Sequence, residues 1–178
     1  MTASIVRTPA PESALTLADF RSAMRELAGG ISVITVGCGE NRTGLTVTSV
    51  TSLSAEPPLV LFCLNRASSS WDIIRTQRIF AINIIPVEMK HVAERFSGFG
   101  GLKGSQRYED ASWRTLVTGA SILDGALAAL DCEVDELIER GSHAIVIGRV
   151  LAAKGSGILK SSALTYWRGR YGHHTDPA

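Results

Sequence analysis

The chain has 178 residues, 45% of them hydrophobic and 20% charged, with a formal net charge of +1. That length suits one domain with a sizeable core and is cramped for two. So neutral a balance, with no Lys/Arg block to neutralise phosphates, counts against a nucleic-acid partner, and no apolar run reaches the roughly 18 residues of a membrane span.

Residues 1–14 are small, polar and proline-containing, without the basic-then-apolar pattern of a signal peptide, and are expected to form a flexible N-terminus. Thr16 then caps a helix in which Leu17, Phe20, Met24 and Leu27 recur at helical spacing and which Gly29-Gly30 stops. Ile31 to Val36 is short and β-branched, hence a strand. A polar turn leads from it into a hydroxyl-rich strand, in which nearly every second residue from Thr46 to Ser54 is Ser or Thr, and a hairpin is the natural reading. Pro57-Pro58 breaks the chain before Leu59 to Leu64, whose unbroken apolar character suits a strand buried on both faces. A serine at or near Ser70 can cap a short helix through Trp71 and Ile74. Ile79 to Ile85 is a further strand, and Pro86 opens a helix carrying Val92, Ala93 and Phe96 on one side.

From Ser97 to Ala111 the pattern fails, and Gly98, Gly100, Gly101 and Gly104 among charged residues predict a mobile surface loop. Strands resume at about 122–135, 143–153 and 165–171, and residues 173–178 read as a tail. Many short strands with two or three helices predict a mainly β fold with flanking helices, a β-barrel with helical additions in one domain over residues 15–172. There is no GxGxxG after the first strand and no P-loop, which counts against Rossmann and NTPase readings.

Cys38, Cys63 and Cys132 are odd in number and widely spaced; they read as buried small hydrophobes in a reducing compartment, and the protein is placed in the cytoplasm. The alternating hydroxyls of Thr46 to Ser54 could as well be the wet face of a half-buried strand. What tilts the balance is Asn65-Arg66-Ala67-Ser68-Ser69-Ser70, which offers a guanidinium, hydroxyls and a helix start, the parts of an anion site. His143 stands at a turn-to-strand junction, exposed yet fixed, whereas His91 lies on an amphipathic helix and His173 and His174 in the tail. Tyr166-Trp167-Arg168-Gly169-Arg170-Tyr171 interleaves aromatics and arginines, suited either to stacking on a nucleotide or to an edge strand with an aromatic inner face. Without a Ser-His-Asp order, HExxH or a CxxC pair, neither hydrolytic nor metal-centred chemistry has support, and no metal site is expected.

Taken in order, these blocks resemble the short-chain NAD(P)H:flavin reductases, FMN-binding split-barrel proteins that act as reductase components of two-component flavin monooxygenases. The resemblance is carried by Phe20-Arg21 before Gly29-Gly30, by Gly44 to Thr46 with Pro57-Pro58, by Ser69 ahead of Trp71, and by Glu94-Arg95-Phe96-Ser97. Leu123 to Ala128, Gly141-Ser142-His143 and Arg168-Gly169-Arg170-Tyr171 complete it. It implies a Greek-key-like split β-barrel and an enzyme that uses NADH or NADPH to reduce free FMN or FAD by hydride transfer to flavin N5. The reduced flavin would diffuse to a partner flavin-dependent monooxygenase, and the protein is expected to be a homodimer.

By position, the resemblance places Thr46, Val47, Thr48 and Ser49 along the isoalloxazine with Ser52, Leu53 and Ser54 nearby, and Cys63, Leu64 and Asn65 offering backbone. Arg66, Ser68, Ser69 and Ser70 would hold phosphate, and Phe96 and Ser97 would close another side. His143, with Tyr166, Arg168, Gly169, Arg170 and Tyr171, would form the nicotinamide side, His143 positioning the ring without an obligatory acid or base role. Ser142 stands where members of the group often carry Asp, and the Gly98–Gly104 stretch departs from the charged sequence usual there. Two alternatives are a flavin carrier or sensor without turnover, and a reductase that passes electrons to ferric iron or a corrinoid.

Overall fold

The computed structural model describes residues 15–155, 157 and 162–175; the expected flexible segment 1–14 and residues 176–178 of the expected tail lie outside the described residues. Helix α1 (Leu17–Met24) is followed by strands β1 (Gly29–Gly30), β2 (Ser32–Val36), β3 (Thr43–Val47), β4 (Thr51–Ala55) and β5 (Pro58–Asn65). Then come α2 (Trp71–Gln77), β6 (Ile79–Ile84), α3 (Lys90–Phe96), β7 (Trp113–Thr115), β8 (Ser121–Leu123), β9 (Ala128–Arg140), β10 (His143–Gly155), β11 (Ala163–Trp167) and β12 (Arg170–His174).

Seven strands form one antiparallel sheet in the order β3-β2-β6-β9-β10-β5-β4. Its two edge strands are consecutive in the chain, separated only by residues 48–50. Six inter-strand steps of about 4.8 Å would hold the edges of a flat sheet about 29 Å apart, whereas the four Cα steps from Val47 to Thr51 span at most about 14 Å. The sheet must therefore curl until its edges approach, and since no ladder joins β3 to β4 the result is a split barrel rather than a closed one. This is the mainly β architecture that the sequence predicts.

The barrel interior holds Ile34, Phe62, Leu64, Phe80, Ile82 and Val146, with Trp71 and Ile74 of α2 packed into the same cluster and Phe62 edge-on to Phe80 at 5.3 Å. Strand β2 is buried at every residue because it serves two cores. Ile34 and Val36 point into the barrel, and by the strand's period of two Ile31 and Val33 point the other way, onto Val92, Ala93 and Phe96 of α3.

Several expectations need correction. The hydroxyl-rich run is not one strand: Thr46 and Val47 end β3, which pairs with β2 as the hairpin reading requires, but Ser52 to Ser54 lie on β4, paired with β5 on the far side of the seam. Strand β5 is buried on one face only, through Val60, Phe62 and Leu64; no described helix covers its outer face, where Cys63 and Asn65 are exposed. The 122–135 strand is broken at Asp124-Gly125, where Gly125 has φ +88°. Strand β12 runs to His174, so His173 and His174 pair with β11 and are not tail. Only Cys132 is buried; Cys38 and Cys63 are exposed.

The stretch after α3 is also more ordered than its glycines suggest. The Arg95 guanidinium, four-fifths buried, donates to the carbonyls of Gln106 and Arg107 and to Asp110 at 2.8 Å. Tyr108, 3% exposed, donates its hydroxyl to the Thr43 carbonyl, and Arg107 reaches the carbonyls of Leu102 and Gly44. Residues 102–110 are thereby tied to β3.

Candidate functional site

The hairpin β11–β12 forms one wall of the site. Its two-residue turn, Arg168 (φ +50°) and Gly169 (φ +81°), has the left-handed pair that type I′ hairpins require. Tyr166 and Tyr171 face each other across the ladder, their rings edge-on at 5.4 Å, while Trp167 pairs with Arg170 on the opposite face. Tyr171 is half-buried, with the Lys90 ammonium 5.1 Å from its ring centre, and burial raises its phenol above the ordinary value. The turn is anchored to the segment after α1: Glu26 accepts from Arg168 Nε at 2.8 Å, and the Glu26 carbonyl accepts from Trp167 Nε1 at 3.2 Å.

Against this wall lies the end of β3. A cleft of about 360 Å³ is lined by Ile31, Thr46, Val47, Thr48, Ser97, Tyr166, Gly169 and Tyr171. The Thr46 hydroxyl donates to the Ala93 carbonyl at 2.6 Å, which fixes the strand to α3 and occupies that hydroxyl. Ser49 Oγ accepts the Cys63 N–H at 3.0 Å, so the three-residue seam is pinned to β5. Gly29 allows β1 this close: a Cβ there would stand 2.9 Å from Thr48 Cβ.

A second cavity, of about 580 Å³, is lined by Arg66, Ala67, Ser68, Ser69, Asp72, Gly98, Gly101, Leu102, Lys103 and Arg107. The turn that shapes it is held by its own side chains, Asn65 Oδ1 accepting from the Ala67 N–H at 2.9 Å and Ser68 Oγ from the Ser70 N–H at 3.3 Å. Three basic groups and one carboxylate leave it cationic. Burial lowers the pKa of Arg107, whose contacts to two carbonyls fix it in place. Arg66 is fixed too, by Glu139 at 2.6 Å and by the Gly141 carbonyl at 3.1 Å. Ser97 belongs to the first cavity and Gly98 to the second, so the two adjoin. An anion cavity next to a cleft walled by aromatic side chains fits a phosphorylated planar ligand.

The structure thus brings together Thr46, Val47, Thr48, Ser97, Tyr166, Gly169 and Tyr171, and beside them Arg66, Ser68 and Ser69. It does not bring in Phe96, which is 1% exposed and packs on Tyr108 and Trp113, because the helical phase that exposes Ser97 turns Phe96 into the core. Ser70 is fully buried, and Leu64 can offer only backbone. Ser52, Leu53 and Ser54 sit on exposed β4 and do not line the cleft. Arg168 is engaged by Glu26, and Arg170 faces away with Trp167.

His143 pairs with Asn65 in the sheet, at the Arg66 end of β5, and does not line the cleft of Tyr166 and Tyr171. Its Nδ1 lies 2.8 Å from Ser142 Oγ, the neutral group standing where an aspartate is usual in the group it resembles. The residues missing from the sequence reading are Lys103 and Arg107. Their signal was the basic side chains among the glycines, read there as a mobile loop.

A barrel split at a hydroxylated seam, with a ring-sized cleft and an adjoining basic cavity, defines a nucleotide-handling domain of the split-barrel class. A family model described as a flavin reductase like domain matches residues 24–175. The chain is 34% identical over 152 residues to the reductase subunit HsaB of a flavin-dependent monooxygenase from Mycobacterium tuberculosis, covering 85% of this chain and 79% of that one. It is 33% identical over 170 residues to an NADH:FMN oxidoreductase of Rhodococcus qingshengii, covering 94% and 86%. The crystal structure of a homologue of nitrilotriacetate monooxygenase component B from Mycobacterium thermoresistibile superposes with a TM-score of 0.80 at 32% identity, over 90% of each chain. The chain belongs to the flavin reductase-like family.

Proposed function

We propose that this protein reduces free FMN or FAD with NADH or NADPH and supplies the reduced flavin to a flavin-dependent monooxygenase. The observation that carries the reading is the junction at Ser97 and Gly98 between the aromatic-walled cleft and the cavity of Arg66, Lys103 and Arg107. It matches a flat ring joined by a short chain to a phosphate. The cofactors supply the redox chemistry, hydride passing from nicotinamide C4 to flavin N5.

The residues align and tune. Thr46 and Val47 at the end of edge strand β3, with Thr48 at the start of the seam, present backbone to the polar rim of a flavin, where hydrogen-bond donors stabilise the electron density gained on reduction. Tyr166 and Tyr171 form an apolar wall that limits water at the reacting face. Arg66, Ser68, Ser69, Lys103 and Arg107 hold phosphate, fixing the ring's distance from the wall; such prealignment is the main rate contribution a protein can make when both reactants are cofactors.

The protein works as a homodimer in this reading: Leu53 on β4 and Leu151 on β10, 47% and 41% exposed, are apolar surface for an interface to cover. The exposed free thiols of Cys38 and Cys63 fit a reducing cytoplasm. No described helix is long and apolar enough to cross a membrane.

The test is NADH and NADPH oxidation followed in the presence of riboflavin, FMN and FAD, with size-exclusion chromatography and light scattering for the dimer. Turnover that depends on added flavin is expected. Flavin binding without turnover would return the carrier reading.

A further inference from the structure

The ring cleft has two separate basic cavities as neighbours. At the Ser97 end lies the cavity of Arg66, Lys103 and Arg107. Thr48, Tyr166 and Gly169 of the cleft are shared with a cavity of about 690 Å³ between α1 and the β11–β12 turn, whose wall includes Phe20, Met24, Arg21 and Arg25. That volume falls within the roughly 300–1,000 Å³ of cofactor sites.

Arg21 and Arg25 are four residues apart, so their side chains project from one face of the chain's first helical segment. Neither guanidinium has an ion pair or hydrogen bond among the described residues. The nearby acids are occupied: Asp19 folds back onto Thr16 in a capping box, and Glu26 pairs with Arg168. Arginines near a helix C-terminus are favoured by the helix dipole and often merely solvated. Here, however, they line a cavity continuous with the site. Arg25 Nη2 lies 3.5 Å from where a Cβ on Gly169 would stand, placing it over the turn at the junction of the two cavities.

Phe20 and Met24, 51% and 49% exposed, supply apolar surface beside these charges. Two free guanidiniums next to an exposed aromatic ring suit a diphosphate that carries a base, since the guanidinium fork matches phosphate oxygens and the ring face matches a purine.

We infer that the cavity between α1 and the β11–β12 turn binds the adenosine diphosphate half of the nicotinamide dinucleotide donor, Arg21 and Arg25 holding its pyrophosphate and Phe20 and Met24 its adenosine. The inference rests on the reduction proposed above. The flavin's single phosphate-bearing chain leaves the cleft at the Ser97 end, toward Arg66 and Lys103. The second nucleotide of the reaction then takes the second cavity, with its nicotinamide reaching the cleft past Thr48 and Tyr166.

The experiment compares wild type, the double variant Arg21→Ala/Arg25→Ala, and Arg25→Lys, using FMN as acceptor and either NADH or reduced nicotinamide mononucleotide as donor. The mononucleotide has the same reacting ring and lacks the adenosine diphosphate half. In the double variant KM for NADH is expected to rise about 10-fold or more, the scale of losing charge-assisted hydrogen bonds to phosphate, while KM for the mononucleotide moves less than about twofold on the same principle. Arg25→Lys should recover part of the loss.

ADP-ribose titrated calorimetrically should bind wild type and fail to bind the double variant, a readout independent of turnover. Unchanged KM for NADH, an equal rise with both donors, or ADP-ribose binding that survives the double substitution would each overturn the inference. So would a loss of FAD affinity with KM for NADH unmoved, which would assign the cavity to the flavin's adenylate. Wild type that oxidises neither donor with any flavin removes the proposed function instead, and the ADP-ribose titration then decides the site by itself.

Discussion

Gly44 in β3 lies directly against the ring of Phe96 in α3: a Cβ built on it would stand 2.6 Å from Phe96 Cε1. This contact sets how closely the strand that ends at Thr46 approaches the helix that ends beside Ser97, and both flank the cleft. The Gly44 carbonyl also receives Arg107 of the anion cavity. The same Cβ would also press on the backbone carbonyl oxygen of Ile34 in the paired strand β2, so Gly44→Ala must displace backbone as well as the Phe96 ring, and overpacking of this kind costs about 1–3 kcal/mol. A lowered midpoint of urea unfolding with a weaker Kd for FMN is expected; a variant with both unchanged would show that strand and ring give way together at little cost and that this spacing is not set here.

What the sequence reveals of this region, and what it hides, has a physical basis. The β-branched run of Ile31 to Val36 is legible as a strand because all of its side chains are buried, alternating between two cores. The seam at residues 48–50 is not legible, because Ser and Thr continue in the same period on both sides of it while the pairing partner changes from β2 to β5. Phe96 and Ser97 are neighbours with opposite fates. Their helical phase, which groups Phe96 with Val92 and Ala93, was the better guide than positional resemblance. The ion pair of Arg168 with Glu26 joins residues 142 positions apart, and nothing local announces it.

Asp131 on β9 is fully buried and accepts the N–H groups of Val117 and Thr118 at 2.6 and 2.8 Å, as well as the Thr118 hydroxyl. Its carboxylate thus satisfies the turn that leads into β8. Asp131→Ala would leave two amides and a hydroxyl without this acceptor, a loss of about 2–4 kcal/mol when each charged hydrogen bond contributes about 1.5–3 kcal/mol and water recovers part. Asp131→Asn keeps one acceptor oxygen and should lose less. Chemical denaturation of both variants checks the order, and equal losses would mean that packing rather than hydrogen bonding decides the cost.

Burial pushes the Cys132 thiol up to about 12 from an ordinary 9.0, with the neighbouring Asp131 charge adding to the effect. Tyr108 is raised as well, chiefly by burial. Above pH 9 the unfolded chain releases the thiol proton while the folded chain keeps it, so stability present below that pH is lost progressively as pH rises toward about 12. Each such group contributes a slope of at most about 1.4 kcal/mol per pH unit. Urea midpoints of the wild type should fall between pH 8.5 and pH 10.5, a range of roughly the width linkage requires, and fall less steeply for Cys132→Ala. Parallel slopes would remove Cys132 as a contributor. Iodoacetamide should label Cys38 and Cys63 in the native protein and spare Cys132.

Lys103 and Arg66 stand on the same cavity in different states of engagement. Arg66 is bound to Glu139 and to the Gly141 carbonyl, so Arg66→Ala loosens the β9–β10 turn next to His143 as well as removing a charge. The Lys103 ammonium makes no ion pair among the described residues, so Lys103→Ala removes a charge and little else. If this cavity takes the flavin phosphate, Lys103→Ala raises Kd for FMN about 10-fold, on the scale of one charge-assisted hydrogen bond. Riboflavin, which has no phosphate, should bind the variant and the wild type alike. The FMN affinity of wild type should also weaken with added salt more steeply than that of the variant, because one fewer charge is then screened. Fluorescence titration of both flavins at two ionic strengths measures all three effects. Equal losses for FMN and riboflavin would place Lys103 against the ring or outside the site, and the phosphate would then have to be held by Arg66, Arg107 and the serines without it.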